Sequence, residues 1–172
     1  MRESPDSPWI LVSDSAIHGR GVFAKMDIPK GTKIIEYTGE KITKEESDKR
    51  QDRDNENGTV YIFTLDETHD IDGAVNGNDA RFINHSCEEN CEIEIDDGRI
   101  WVIAMRDIKQ GEELGYDYSF DKDCYEEHPC KCGSKQCRGF ILGNDAVEEM
   151  TEEQKKEWLE RKAARFAHNA EV

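Results

Sequence analysis

Short apolar runs separated by turn signals fill the first two thirds of the chain. WILV at 9–12, GVFA at 21–24, KIIEY at 33–37 and TVYIFTL at 59–65 are rich in the β-branched and aromatic residues that half-buried sheet positions favour. HGRG, IPKG and NENG stand between them as reversals. The plainest hairpin is CEIEIDDGRIWVIAM at 91–105, which alternates apolar and polar on either side of Asp97-Gly98. The polar stretch ITKEESDKRQDRD at 42–54 reads as a short surface helix, with Thr43 as N-cap and Glu46 at capping-box spacing. A helical period appears only near the end, in MTEEQKKEWLERKAARFA at 150–167. There Thr151 and Gln154 form a second capping box, and Trp158, Leu159 and Phe166 are spaced for one face. That stripe can pack on its own domain, on a second copy or in a partner's groove. The pattern predicts a mainly β fold of many short strands, followed by a C-terminal amphipathic helix. No internal repeat or low-complexity tract interrupts it.

At 172 residues the chain suits one domain of ordinary size. Its 23 Lys and Arg against 39 Asp and Glu give 23 − 39 = −16, with 36% of residues charged and 35% apolar. A surface of this sign repels phosphate backbones and anionic lipid, so direct nucleic-acid and membrane partners are not expected. It attracts Lys- and Arg-rich segments, and it equally serves solubility. No apolar run approaches the ~20 residues of a membrane span, and MRESPDSPWI lacks the apolar centre of a signal peptide. The expectation is a soluble intracellular protein, cytoplasmic or nuclear, and a monomer.

Six cysteines stand at 87, 91, 124, 130, 132 and 137. Without a secretory signal, and with four of them crowded between 124 and 137, metal binding is favoured over disulfides. Cys130, Cys132 and Cys137 form a Cys-x-Cys-x4-Cys pattern suited to tetrahedral Zn2+, which needs a fourth ligand. Cys124, Cys91, Cys87 and His128 are the candidates, and local spacing does not choose among them. RFINHSC at 81–87 also sets His85 close to Cys87, which raises a thiol nucleophile and base. On an extended turn those two side chains are expected to diverge, and no oxyanion-hole signature accompanies them.

In this order, IHGRGVFA, EYTGE, GNDARFINHSC, GEELGYDY and CKCGSKQCRGF resemble the SET-domain family of protein lysine methyltransferases with its post-SET zinc segment. The resemblance covers residues 9 to about 141. It implies several small β-sheets around a pseudoknot, with the NHSC segment threaded beside the strand leading to GYDY. It further implies a SET catalytic domain at 9–120 and a post-SET zinc-binding segment at 121–143, while the polar, Pro-rich start reads as a flexible arm at 1–8 and the amphipathic helix occupies 144–172.

Carried over residue by residue, the resemblance makes His18, Gly19, Arg20, Gly21, Tyr61, Asn84 and His85 binding positions for S-adenosylmethionine. Cys87 becomes the fourth zinc ligand beside Cys130, Cys132 and Cys137. Tyr118 matches the catalytic tyrosine, Tyr37 lines the lysine channel, and Tyr116 lies at the family's Phe/Tyr switch. The implied activity is S-adenosylmethionine-dependent lysine methylation of a basic protein such as a histone, mainly mono- or dimethylation, with S-adenosylhomocysteine and one structural Zn2+ as companions. Glu89 stands where the family usually has Pro, Gly115 where Thr is frequent, and a pre-SET cysteine cluster is absent; this reads as a nearly minimal catalytic unit or as one excised from a longer protein. The rival class is a zinc-stabilised module that binds basic peptides without catalysis.

Overall fold

A computed structural model describes residues 1–57, 61–123 and 125–169, with backbone alone for 51–57 and 168–169. Strands form on the apolar runs, and shorter, more polar strands pair beside them. The first sheet joins β1 (Arg2–Glu3), β2 (Ile10–Asp14) and β3 (Arg20–Ala24), all antiparallel. Next come β4 (Lys33–Tyr37), β5 (Glu40–Thr43), α1 (Lys44–Asn57), β6 (Ile62–Thr64) and β7 (His69–Asp72). β5, β7 and β6 make a second antiparallel sheet in that order. β8 (Asn84–His85), β9 (Cys91–Asp96), β10 (Arg99–Ala104) and β11 (Gly115–Tyr116) complete the body. β4, β10 and β9 form the third sheet, and β8 pairs in parallel with β11.

The hairpin closes where the alternation requires it. Asp97 and Gly98 both take positive φ, 49° and 71°, matching the right-handed twist of the flanking strands. Inward residues of the first and third sheets, among them Ile10, Val22, Ile35, Val102 and Ala104, share one core with Ile28 and Ile108. Burying several such side chains stabilises by roughly 1.5–3 kcal/mol each before chain entropy is subtracted. A smaller cluster of Tyr125, Phe140, Leu142 and Met150 underlies the C-terminal part.

Residues 1–8, expected to be a loose arm, are tied down. β1 extends the first sheet, and Arg2 grips Asp79, donating from Nη1 at 2.8 Å and also from Nη2. Asp6 accepts from the Asp79 amide at 3.1 Å, and Ser7 Oγ donates to Ile34 O at 2.6 Å. The cause is Asp79, whose side chain is 7% exposed and requires a cation.

The C-terminal region is not one helix. α2 (Asn144–Glu149) stops at Met150, whose ψ of 140° is extended, and α3 (Glu152–Asn169) begins directly after Thr151, the first residue of the capping box. That box is reciprocal: Gln154 N donates to Thr151 Oγ1 at 3.2 Å, and Thr151 N to Gln154 Oε1 at 2.9 Å. Trp158 packs on the second cluster, whereas Leu159 and Phe166 are 53% and 43% exposed. Adjacent helix positions differ by about 100° at 3.6 residues per turn, so Trp158 and Leu159 face differently. Among the described residues, no helix is long and apolar enough to cross a membrane.

Candidate active site

One cavity of about 840 Å³ collects short pieces of chain from across the fold. The turn after β2 supplies His18, Gly19 and Arg20, Tyr61 enters just before β6, and β8 supplies Asn84 and His85. Gly19 has φ +47°, a conformation that favours glycine. Asn84 ties this turn to β8, its Nδ2 donating to Arg20 O at 3.1 Å and to Glu113 Oε1 at 3.0 Å. Ser15 Oγ reaches the same carboxylate oxygen at 2.7 Å. Gly21 does not line the cavity; a Cβ there would lie 2.3 Å from Glu113 Oε1. Glu112 and Glu113 read alike in sequence, yet Glu112 pairs with Arg106 on the surface while Glu113 turns inward beneath the turn.

An aromatic row leads away from the cavity. Ring centroids run Tyr37 to Phe63 at 5.3 Å, Phe63 to Tyr116 at 5.9 Å and Tyr116 to Tyr118 at 5.0 Å. Tyr118 belongs to both features, for it also lines the cavity. Its hydroxyl donates to Ile83 O at 2.8 Å, and the Tyr37 hydroxyl donates to Tyr61 O at 2.6 Å. Both protons are therefore committed to carbonyls, and what the phenol oxygens offer a ligand is lone pairs. Burial pushes the Tyr37, Tyr116 and Tyr118 phenols above their ordinary range, so all three stay neutral.

The sulfurs of Cys87, Cys130, Cys132 and Cys137 lie within 4.8 Å of one another, with Cys87 and Cys130 at 3.7 Å. A tetrahedral ion with metal–sulfur distances of about 2.3 Å separates its ligands by about 3.8 Å, so the thiols can hold such an ion. Backbone amides of Arg138, Cys132 and Gly139 each point at a sulfur at 3.4 Å, an arrangement that stabilises thiolates. Of the four candidates for the fourth ligand, Cys87 joins the cluster; Cys91 is buried beside Asn90, His128 lines the cavity, and Cys124 lies outside the described residues.

His85 and Cys87 do not diverge as expected. Residues i and i+2 of an extended segment share a face, and His85 Nε2 sits 3.3 Å from Cys87 Sγ. Burial lowers His85 to about 4, so the ring is neutral. Its Nδ1 accepts from Tyr118 N at 3.2 Å, which leaves the proton on Nε2, facing the sulfur. Hence His85 links cavity, aromatic row and thiol cluster without acting as a base toward Cys87.

Sequence reasoning missed several lining residues. Arg81 and Phe82 line the cavity, with the Arg20 and Arg81 guanidiniums 4.0 and 4.8 Å from the Phe82 ring centroid. Glu127 to Lys131 and Ile141 form another wall. The signal for Arg81 and Phe82 was their place directly before INHSC. Phe63 carried none beyond its apolar strand.

Small sheets, the parallel β8–β11 pair and a cavity abutting an aromatic row define a SET domain, and the chain belongs to that family. The family's model matches residues 19–119, more than half of the chain. Curated relatives are similar over most of it. Identity is 44% over 138 residues to "Histone-lysine N-methyltransferase trithorax" of Drosophila virilis, covering 77% of this chain and 4% of that protein. It is 44% over 135 residues to "Histone-lysine N-methyltransferase, H3 lysine-4 specific" of Emericella nidulans, covering 74% and 11%. It is 44% over 133 residues to "Histone-lysine N-methyltransferase 2B" of Homo sapiens, covering 74% and 5%. The chain thus spans no more than 11% of the length of these relatives.

Proposed function

We propose that this chain methylates a lysine of a basic protein, a histone or histone-like substrate, with S-adenosylmethionine as donor, and yields mainly mono- and dimethyl-lysine. The carrying observation is the position of Tyr118, which belongs at once to the cavity wall and to the aromatic row. A donor held in the cavity and an amine entering along the row would meet there.

S-adenosylmethionine supplies a sulfonium-bound methyl group, open to in-line attack by a neutral amine. A lysine at pH 7 must first lose its proton, at about 4.6 kcal/mol from ~3.4 pKa units of 1.36 each. An apolar aromatic channel lowers that cost, because desolvation disfavours the ammonium. The phenols are not bases: burial keeps them protonated, and their hydroxyl protons point at carbonyls. Tyr118 and Tyr37 instead accept N–H bonds from the amine and aim its lone pair, and such alignment is worth many powers of ten. Tyr116, between Phe63 and Tyr118, limits the space left beside an already methylated amine. The turn at His18 to Arg20, with Tyr61, Asn84 and His85, would hold the donor. Cys87, Cys130, Cys132 and Cys137 would hold one structural Zn2+, and the donor set fits that ion.

The deciding experiment incubates the chain with labelled S-adenosylmethionine and a panel of basic proteins, then maps the modified residue. Label on lysine supports the reading. Binding of S-adenosylhomocysteine and basic peptide without transfer supports a non-catalytic binding module, and absence of nucleotide binding defeats the proposal. A thiol hydrolase at Cys87 is disfavoured by its place among three other sulfurs.

A further inference from the structure

α3 lies outside the residues matched by the family model, yet one of its faces contacts the thiol segment and its approach at successive turns and reaches one cavity-lining residue, Cys130. Trp158, Arg161, Lys162 and Arg165 follow the i, i+3, i+4, i+7 spacing of a single helical face. Arg165 Nη2 donates to Cys130 O at 2.9 Å, and Trp158 Nε1 to Arg138 O at 3.3 Å. Arg161 Nη1 pairs with Glu126 at 2.8 Å. Lys162 packs on Gly139, where any Cβ would lie 3.1 Å from Lys162 Cγ. The helix therefore grips both limbs of the thiol loop, the limb entering at Cys130 and the limb leaving at Arg138.

The entering limb is the one that matters for a ligand. Residues 127–131 form one side of the cavity but belong to no extended ladder. Cys130 N to Gly139 O at 3.0 Å and Ile141 N to His128 O at 2.8 Å, the two bonds that make up the Pro129 to Phe140 bridge, are its hydrogen-bonded backbone ties to the other limb. A segment with so few backbone ties opens locally at low cost. A charged guanidinium on the Cys130 carbonyl adds a stronger bond than a neutral donor would, and adds it at the residue shared by cavity and thiol cluster.

We propose that α3 braces the wall of the donor cavity, and that Arg165 is a positioning residue for donor binding. This rests on the methyl-transfer reading above. Donor affinity is reduced in proportion to the fraction of molecules whose wall is in place. The helix raises that fraction without touching the donor. The exposed Leu159 and Phe166 lie off the bracing face and take no part.

The test uses the full chain loaded with zinc and S-adenosylhomocysteine as probe, titrated by calorimetry. Arg165→Ala is expected to weaken binding about tenfold, the effect of a competent fraction lowered to a tenth. Helix content by circular dichroism and zinc content should stay unchanged. With substrate, the KM for donor rises while kcat holds. Phe166→Ala leaves all of these as in the unaltered chain. Hydrogen exchange on the unaltered chain supplies a second readout that needs no variant: by reciprocity of coupling, the probe must slow exchange in α3. Unchanged affinity in a folded Arg165→Ala chain overturns the brace, and so does an α3 whose exchange ignores the probe. If the unaltered chain binds no probe at all, the donor reading itself fails, and the brace with it.

Discussion

Tyr37 packs its phenol so closely against Gly73 that a Cβ on Gly73 would lie 2.4 Å from the Tyr37 hydroxyl oxygen and 2.9 Å from Cζ. Gly73 N and the Tyr37 hydroxyl also share one acceptor, Tyr61 O, at 2.8 and 2.6 Å. Gly73→Ala is therefore expected to displace the ring and cut the methylation rate about 10²-fold, the scale on which ~1 Å misplacements act. Labelled-methyl assays check the rate, and calorimetry with S-adenosylhomocysteine should find the donor site little changed. Adding Tyr37→Phe removes the nearer contact but not the ring's, so it should not restore full activity.

Tyr116 is 6% exposed and sits between Phe63 and Tyr118. Replacing it by Phe removes one oxygen from the row and leaves its shape. The expected outcome is a shift toward di- and trimethyl-lysine with little loss of total turnover, read by mass spectrometry of the product. Predominant trimethylation by the unaltered chain would contradict the assignment.

Three buried phenols also set an alkaline limit. In the unfolded chain a tyrosine titrates near ~10, whereas burial raises Tyr37, Tyr116 and Tyr118 above that in the fold. The unfolded chain then loses protons first, so their contribution to stability is complete below pH ~10 and declines as pH climbs toward the folded values. Denaturation midpoints should be insensitive to these groups from pH 7 to 9 and drop above ~10. The methylation rate, governed by the substrate amine, should keep rising with pH up to that limit.

Asp72 is fully buried and held by Arg50 Nη1 at 2.7 Å, with Ala74 N donating at 2.9 Å. Removing one partner of a buried pair leaves an uncompensated charge, typically at about 3–5 kcal/mol. Arg50→Ala should lower unfolding free energy by about 3 kcal/mol in urea titrations. Because Gly73 follows Asp72, activity should fall earlier in the titration than secondary structure is lost.

The four-thiol cluster carries the last expectation. Metal binding to such a set is folding free energy. A chelator, or Cys137→Ser, is expected to lower the melting midpoint by several degrees, at about 2–4 °C per kcal/mol for a chain of this size. Donor affinity should fall with it, since Cys130 is common to cluster and cavity wall.

The strands built on apolar runs were legible because their code is local, whereas the short polar strands β1, β5, β7, β8 and β11 carry no such code. Alternation around Asp97-Gly98 encodes its own pairing, and β9 and β10 appear where it requires. The thiol triplet likewise announced itself by spacing. What the sequence could not display by local pattern was which distant pieces meet. Glu113 and Glu112 look interchangeable until one finds Asn84 and Ser15 and the other finds Arg106. Arg2 reads as arm residue until Asp79 appears, and Trp158 and Leu159 seem one stripe until the second cluster takes only the first. The partners of Glu113 and Arg2 lie about 30 or more residues away, Arg106 stands close to Glu112 but at no periodic spacing, and the phase of α3 is fixed by packing, so none of these is written into a local period.

The two-residue ladder of Asn84 to Gly115 and His85 to Tyr116 is the joint at which these pieces meet. Two rungs store little cohesion of their own, yet both halves of the proposed reaction depend on them. Recovery from denaturant should accordingly show a single late kinetic step at which nucleotide affinity and turnover return together. No separately prepared fragment that ends before residue 115 should possess either property.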